Sequence, residues 1–386
     1  MSRTSITSTR SESALRAARA TDAATLRTVP VADLGDRDLA AWTALAANAA
    51  EANPFFQPEM LIPAAALYGG VDLTLIESDG RLIGALPTRR SAAWRGVPAP
   101  TLTVWRHRDA FIGTPLVAPE AGELALGALL DHARAGRAGL VAFEWLGTGG
   151  PVEREVRAAA HERSMTIVEY GTSERAALRR RPEPDYLRDS VSKGRAREMR
   201  RLRRKLGEQL GGPVEVHDRA GDPEAVEGFL AAEAAGWKGR RGTAFASTEP
   251  HADFFRSLCK SFQASGSLQL LVLTAGDTDV AWKVNFTAGD AIYCFKIAYA
   301  DDLGRYSPGI QLELDFVDLF HSTRFAWSDS CASPDNDMIN RLWPDRRPLS
   351  TLLVFTGGPR GAAAQASVRT AIAVRNHVRR NHGKAA

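Results

Sequence analysis

The stretch Lys296-Ile-Ala-Tyr299-Ala-Asp301-Asp-Leu-Gly-Arg305-Tyr306-Ser307-Pro308-Gly309 leaves an apolar, strand-like run and enters a helix through Ser-Pro-Gly. Ser307 stands where an N-cap is expected, and Pro308 stands at the first helical position, where its missing N–H costs nothing. A helix start with a glycine beside it presents backbone N–H groups and the positive end of the helix dipole, which suits a phosphate or a carboxylate. The same three residues also make an ordinary cap, so their reading depends on what surrounds them.

Outward from this junction the pattern is regular. Residues 268–274, 280–286 and 291–299 read as a three-stranded meander turning at Gly276-Asp277 and Gly289-Asp290, preceded by helices over 225–236 and 251–265. A helix over 310–321 and a strand over 324–328 follow. The first half runs in the same order. Helices over 39–50 and 58–68, broken at Asn53-Pro54, lead to a hairpin over 72–87 that turns at Asp79-Gly80. Then come a helix over 120–135, a strand over 140–146, a loop over 147–150, a helix over 152–163 and a strand over 166–170. The two hairpins lie roughly 195 residues apart, so the simplest account is an internal duplication of one α/β domain. The expected divisions are an N-terminal arm over 1–25, a first domain over 26–174, a basic connecting helix over 175–212, a second domain over 213–356 and a basic tail over 357–386.

A chain of 386 residues exceeds what one core usually organises, in keeping with two domains. Hydrophobic residues at 44% and charged residues at 24% match soluble globular chains and exclude disordered or collagen-like ones. Residues 1–25 are an exception: Ser, Thr, Ala and Arg predominate, and a flexible arm is expected there. No run of 18 apolar residues and no apolar signal core is present, so the protein is expected to be cytoplasmic. Cys259, Cys294 and Cys331 fit neither a disulfide framework nor a metal knuckle, and the eight histidines show no paired-ligand spacing, so no metal is expected.

The net charge of +4 is unevenly placed. Residues 175–205 hold thirteen Lys or Arg against four acids, a local excess of 13 − 4 = +9. Within it Met199, Leu202, Leu206 and Leu210 recur at helical spacing, which makes an amphipathic helix with an arginine-rich outer face. That face suits a nucleotide cofactor, a tRNA or an anionic membrane surface, or it is simply solvated.

Candidate chemistry clusters after the strand over 324–328, in Asp329-Ser-Cys331-Ala-Ser-Pro-Asp-Asn-Asp and Met338-Ile-Asn340-Arg-Leu-Trp343-Pro-Asp-Arg346. Ligands bind beyond the carboxyl ends of strands in α/β folds, so Asp329 is a candidate general base or amine-orienting group, or a turn cap. Trp237 and Lys238 end a helix, as pocket or core residues. Lys283 and Lys296 lie on otherwise apolar strands, where a lysine is costly unless paired or facing a cleft.

Gly-Trp-Lys-Gly (236–239), Phe-Lys-x-x-Tyr-x-Asp (295–301), Tyr-Ser-Pro-Gly (306–309), Asp-Ser-Cys-Ala (329–332) and Asn-Arg-Leu-Trp (340–343) follow one another in an order that resembles the GNAT acetyltransferase domain of FemAB-like and CelD-like bacterial proteins. Asn53-Pro54-Phe55-Phe56 and Gly84-Ala85-Leu86-Pro87 resemble their first domain. The resemblance spans about residues 35–355 and implies tandem GNAT-like α/β domains with mixed central sheets flanked by helices. It implies an N-acyltransferase in which Asp329, Tyr299 and Tyr306 are catalytic and Lys296, Ser307, Pro308 and Gly309 bind the donor. Trp237, Lys238, Lys283, Asp301, Asn340, Trp343 and Arg346 would bind the amine acceptor, a small molecule or a glycan. The chain departs from the family in lacking an Arg/Gln-x-x-Gly-x-Gly/Ala loop. Three readings therefore stand: an acyl-CoA donor, an aminoacyl-tRNA donor, and a catalytically inert binding protein of polysaccharide export.

Overall fold

The computed structural model describes residues 24–186 and 191–382, with side chains of the last helix described to residue 377. Of the arm expected over 1–25, residues 1–23 lie outside the described residues, as do Arg188 and Asp189, while Thr25 already belongs to a strand. The first half contains β1 (Thr25–Pro30), α1 (Asp36–Ala47), α2 (Pro58–Tyr68), β2 (Asp72–Ser78), β3 (Arg81–Trp94), β4 (Val97–Val104), β5 (Leu116–Val117), α3 (Gly122–Ala135), β6 (Leu140–Gly147), α4 (Pro151–Glu162) and β7 (Thr166–Arg179). The second half contains α5 (Lys193–Leu210), β8 (Val214–Asp218), α6 (Pro223–Ala235), α7 (Trp237–Arg240), α8 (Glu249–Ala264), β9 (Leu268–Ala275), β10 (Thr278–Ala288), β11 (Ala291–Tyr299), α9 (Pro308–Phe320), β12 (Trp327–Asp329), α10 (Asp337–Leu342), β13 (Asp345–Phe355) and α11 (Gly358–His382). No helix among the described residues is long and apolar enough to cross a membrane.

The halves share one mixed sheet in the order β1-β2-β3-β4-β6-β13-β7-β12-β11-β10-β9-β8, with β5 against β3. Each half opens with an antiparallel meander and then adds one parallel strand through a helical crossover. In the first half β6 joins β4 by way of α3, and in the second β12 joins β11 by way of α9. This is the duplication expected from the repeated order of elements. The seam is interlaced: β13, from the end of the second half, inserts antiparallel between β6 and β7. The last residues of β7, Ala177 to Arg179, pair in turn with β12.

Local sequence explains the elements. Ser192 caps α5 through a bond from Arg195 N, and Gly211 closes it at φ 77° in the left-handed region that favours glycine. Asp222 caps α6 just before Pro223. The largest buried cluster spans both halves, including Phe55, Phe56 and Phe143 from the first and Phe255, Phe262 and Phe286 from the second. A second cluster lies beneath α9 around Leu312, Phe316 and Trp343.

Three expectations need correction. The basic block is not one helix over 175–212: Arg175 and Arg179 are on β7, because Ala176 and Leu178 alternate into the core and take that segment into the sheet. Arg180 follows, and its guanidinium donates to the carbonyls of His321, Thr323 and Phe325 just beyond α9. Among the described residues of the block, only Lys193 to Leu210 is helical. Residues 358–382, expected as a tail, form α11, which buries Ala364 and Val368 against the sheet. Ser307 is no side-chain cap: the turn Asp301–Tyr306 runs straight into α9, leaving Ser307 at φ 54° with no capping side-chain bond.

Candidate active site

β11 carries the site. Its ladder with β12 ends at the Tyr293–Asp329 pair, and its register with β10 skips Phe295, a bulge that re-aims the residues beyond it. Just past the bulge, Lys296 reaches into the first half and places Nζ 3.0 Å from Asp109 Oδ1. Asp109 lies in the loop after β4 and also accepts 2.8 Å from the Tyr68 hydroxyl of α2. The Lys296 ammonium is surrounded by the rings of Phe111, Phe245 and Phe295 at 5.1 to 5.3 Å, so it is a cation partly stripped of water and held by aromatic faces. Burial pushes the Asp109 carboxyl up, but Lys296, the Tyr68 hydroxyl and Arg108 outweigh it and hold the group below its usual range. The same carboxylate and burial push the Tyr68 hydroxyl well above its ordinary value.

His107, two residues earlier, is 3% exposed and packs against Tyr68, Trp105 and Phe254. Among the described residues neither of its ring nitrogens has a hydrogen-bond partner, and burial pushes its pKa down to about 4. It is a neutral imidazole beside the ion pair.

Beyond Lys296, Ile297, Ala298 and Tyr299 continue into a small cleft that Glu233, Gly236, Trp237, Lys238 and Asp301 also line. Glu233 shapes it: one carboxylate oxygen accepts 2.7 Å from Lys238 Nζ and the other 2.8 Å from Phe245 N. Trp237 is 49% exposed at the rim, with the Arg241 guanidinium over its ring. Tyr299 packs on the start of α9, where a Cβ on Gly309 would lie 3.2 Å from the Tyr299 ring. A side chain at 309 would therefore fit only if the Tyr299 ring gave way by a few tenths of an ångström.

The structure thus brings Tyr299, Asp301, Trp237 and Lys238 to one cleft at the end of β11, with Gly309 of the Ser307-Pro308-Gly309 junction against the Tyr299 ring; Lys296 lies three residues earlier on the strand, its side chain on the other face of the sheet. It separates the rest. Lys283 is buried on β10, paired at 2.7 Å with Glu313 beneath the Phe316 and Trp343 rings. Arg346 donates to the carbonyls of Trp343 and Asn340 and so closes the end of α10, while Asn340 Nδ2 donates to Pro334 O. Tyr306 is buried next to Arg305.

Asp329 is not in the cleft. β12 does lie parallel to β11, but it meets that strand at Tyr293, six residues before Tyr299 and so about 20 Å away along the strand. Its carboxylate is wholly buried, with Arg175 Nε 2.6 Å from Oδ1 and Arg347 Nη1 2.5 Å from Oδ2. Against the desolvation that would raise it, the two guanidiniums hold the carboxyl below its usual range.

Tyr68, His107 and Asp109 escape the sequence reading because Asp109 lies 187 residues from Lys296. Polar residues just after a strand are the available mark, and Arg106-His107-Arg108-Asp109 follows β4, but Pro98 and Pro100 hide that strand in the sequence.

Residues 193–331 match the model of the acetyltransferase (GNAT) domain family. No curated protein matches the chain. Among solved structures, FemX aligns over 85% of this chain and 96% of its own, at 11% identity and TM-score 0.54. The C-terminal domain of a putative lysylphosphatidylglycerol synthetase from Agrobacterium fabrum aligns over 86% and 95%, at 13% identity and TM-score 0.52. L-PGS from Bacillus licheniformis aligns over 87% and 96%, at 14% identity and TM-score 0.51. These likenesses are of fold. The two halves, alike in the order of their strands, share one sheet, and residues 193–331 of the second half are similar to the acetyltransferase (GNAT) domain family.

Proposed function

We propose that the protein is an N-acyltransferase that moves an acyl group from an acyl thioester, with acyl-CoA as donor, to an amine held between its halves. The observation that carries this reading is the Lys296–Asp109 pair, a partly dehydrated ammonium fixed at 3.0 Å by a carboxylate from the other half, next to a cleft at the end of β11. In this mechanism an unprotonated amine attacks the thioester carbonyl. Lys296 stabilises the negative charge that develops on the carbonyl oxygen. Asp109 aims Lys296 and holds the acceptor's ammonium form before it loses its proton. As the C–N bond forms and the C–S bond breaks, the amine's proton leaves toward the Asp109–Tyr68 pair, and the departing thiolate takes up a proton from water. Ser307 and Gly309 at the start of α9 border the donor's anionic part.

The test is acyl transfer followed by mass spectrometry over a panel of acyl-CoAs and amines. Lys296→Met should lower turnover by about 10²- to 10³-fold, the scale of a lost oxyanion donor. Full activity in that variant would reject the site.

A second reading, in which aminoacyl-tRNA is the donor, is favoured by α5. Arg195, Arg197, Arg200 and Lys205 are exposed on it, and the helix packs against the Asp301–Tyr306 turn that walls the cleft. A grouping with FemAB-like proteins accords with either donor. Salt-sensitive tRNA binding, with no acyl-CoA retained in native mass spectrometry, would select the second reading.

A further inference from the structure

The buried Asp329 carboxylate has no route to a substrate, and stabilisation alone is a weak reason for its presence. Burying two guanidiniums and a carboxylate is expensive, and well-packed apolar residues often serve stability as well or better. The geometry of Arg175 gives a more specific role. Its Nη2 and Nε grip Asp329, while its Nη1 donates 2.9 Å to the carbonyl of Phe111. Phe111 is two residues beyond Asp109, and its ring lies 5.3 Å from Lys296 Nζ. Asp329 meanwhile is in register with Tyr293, three residues before Lys296 on β11. One planar fork therefore ties β12, the neighbour of the strand that bears the ammonium, to the loop that bears its carboxylate partner.

We propose that Asp329 is a positioning residue for the Lys296–Asp109 centre, acting through Arg175 on the loop after β4. The proposal rests on reading Lys296 and Asp109 as the reactive pair. Arginine is needed because a lysine in its place keeps the charge next to Asp329 but cannot span to the Phe111 carbonyl as well. Arg347, which lies over the Trp327 ring at 4.7 Å, and Cys331 N, which donates 2.8 Å to Oδ1 as in a turn cap, complete the carboxylate's partners. Misplacement of reacting groups on the scale of 1 Å costs about 10²-fold in rate, so a clamp distant from the chemistry can matter as much as a group within it.

The test reads the geometry of Lys296 without an acyl-transfer assay. The intact protein is trace-labelled with acetic anhydride, and the labelling rates of Lys296, Lys283 and exposed Lys260 are followed by peptide mass spectrometry. Lys283, buried against Glu313, reports any general opening. In Arg175→Lys and in Asp329→Asn, Lys296 should label about threefold faster or more relative to Lys260, the scale of a loosened, partly exposed ion pair, while Lys283 stays protected. Asp109→Asn sets the size of the full effect. A rise at Lys296 in both variants with Lys283 silent supports the clamp. Any other pattern, including no rise or a parallel rise at Lys283, overturns it. Failure of the function itself shows separately, as unchanged turnover in Lys296→Met.

Discussion

The Tyr293 hydroxyl donates a 2.7 Å hydrogen bond to the carbonyl of Ala52, joining β11 to a loop 241 residues earlier in the chain. Tyr293 is buried, so its removal would leave that carbonyl without this donor. Tyr293→Phe should lower unfolding free energy by about 1–3 kcal/mol, measured as a shift in denaturant midpoint at constant slope. An unchanged midpoint would mean water replaces the hydroxyl at no cost.

Gly113 and Gly194 should answer oppositely to alanine. A Cβ on Gly113 would lie 2.1 Å from the carbonyl oxygen of Glu144, where the 111–115 segment crosses β6, so the backbone has to move. Gly113→Ala is expected to destabilise by about 1–3 kcal/mol. Gly194, in the first turn of α5, has open space around the same position, and Gly194→Ala should stabilise by up to about 1 kcal/mol. Thermal melts of the two variants decide both.

Acid stability should depend on Asp329. Its carboxyl lies below the ordinary range in the fold, so the unfolded chain takes up its proton first as pH falls. The stability this group contributes is therefore present above about pH 4 and is lost as pH drops through the folded value. Asp329→Asn should flatten that acid limb in a melting-temperature profile.

Glu51 should show the reverse sign. Desolvation raises its carboxyl, outweighing the bond from Val152 N and the attraction of Arg347. Its favourable contribution is present below about pH 4 and lost as pH rises through the folded value. Glu51→Gln keeps an acceptor for Val152 N, so it should raise the melting temperature at pH 7, with the difference vanishing near pH 3.

Much of this architecture is legible from local pattern, and the exceptions have physical causes. The meander over 268–299 shows because Gly-Asp turns punctuate its apolar strands. β4 does not, since Pro98 and Pro100 argue against a central strand. They are tolerated because β6 pairs with β4 only at residues 101–103, leaving those positions free of a ladder bond on that side. The Arg175–Arg181 run joins α5 when read on charge alone, and only its burial, continuous from Arg175 to Leu178, shows it to be an interior strand. Lys296, Tyr299, Trp237 and Asp301 could be found from the sequence as residues of the second half. Their counterparts Tyr68, His107 and Asp109 could not, since nothing local says that the loop after β4 meets β11.

The placement of β13 between β6 and β7 bears on how the chain is made. On a ribosome the first half emerges with two of its strands lacking the neighbour that belongs between them, and that neighbour is residues 345–355. Until those residues arrive, β6 and β7 present open edges, a state prone to mispairing. Cutting the chain near residue 212 would leave the first half permanently in that condition, and the second half without the β7 residues that border β12. The two halves, alike as they are, mature only as one unit.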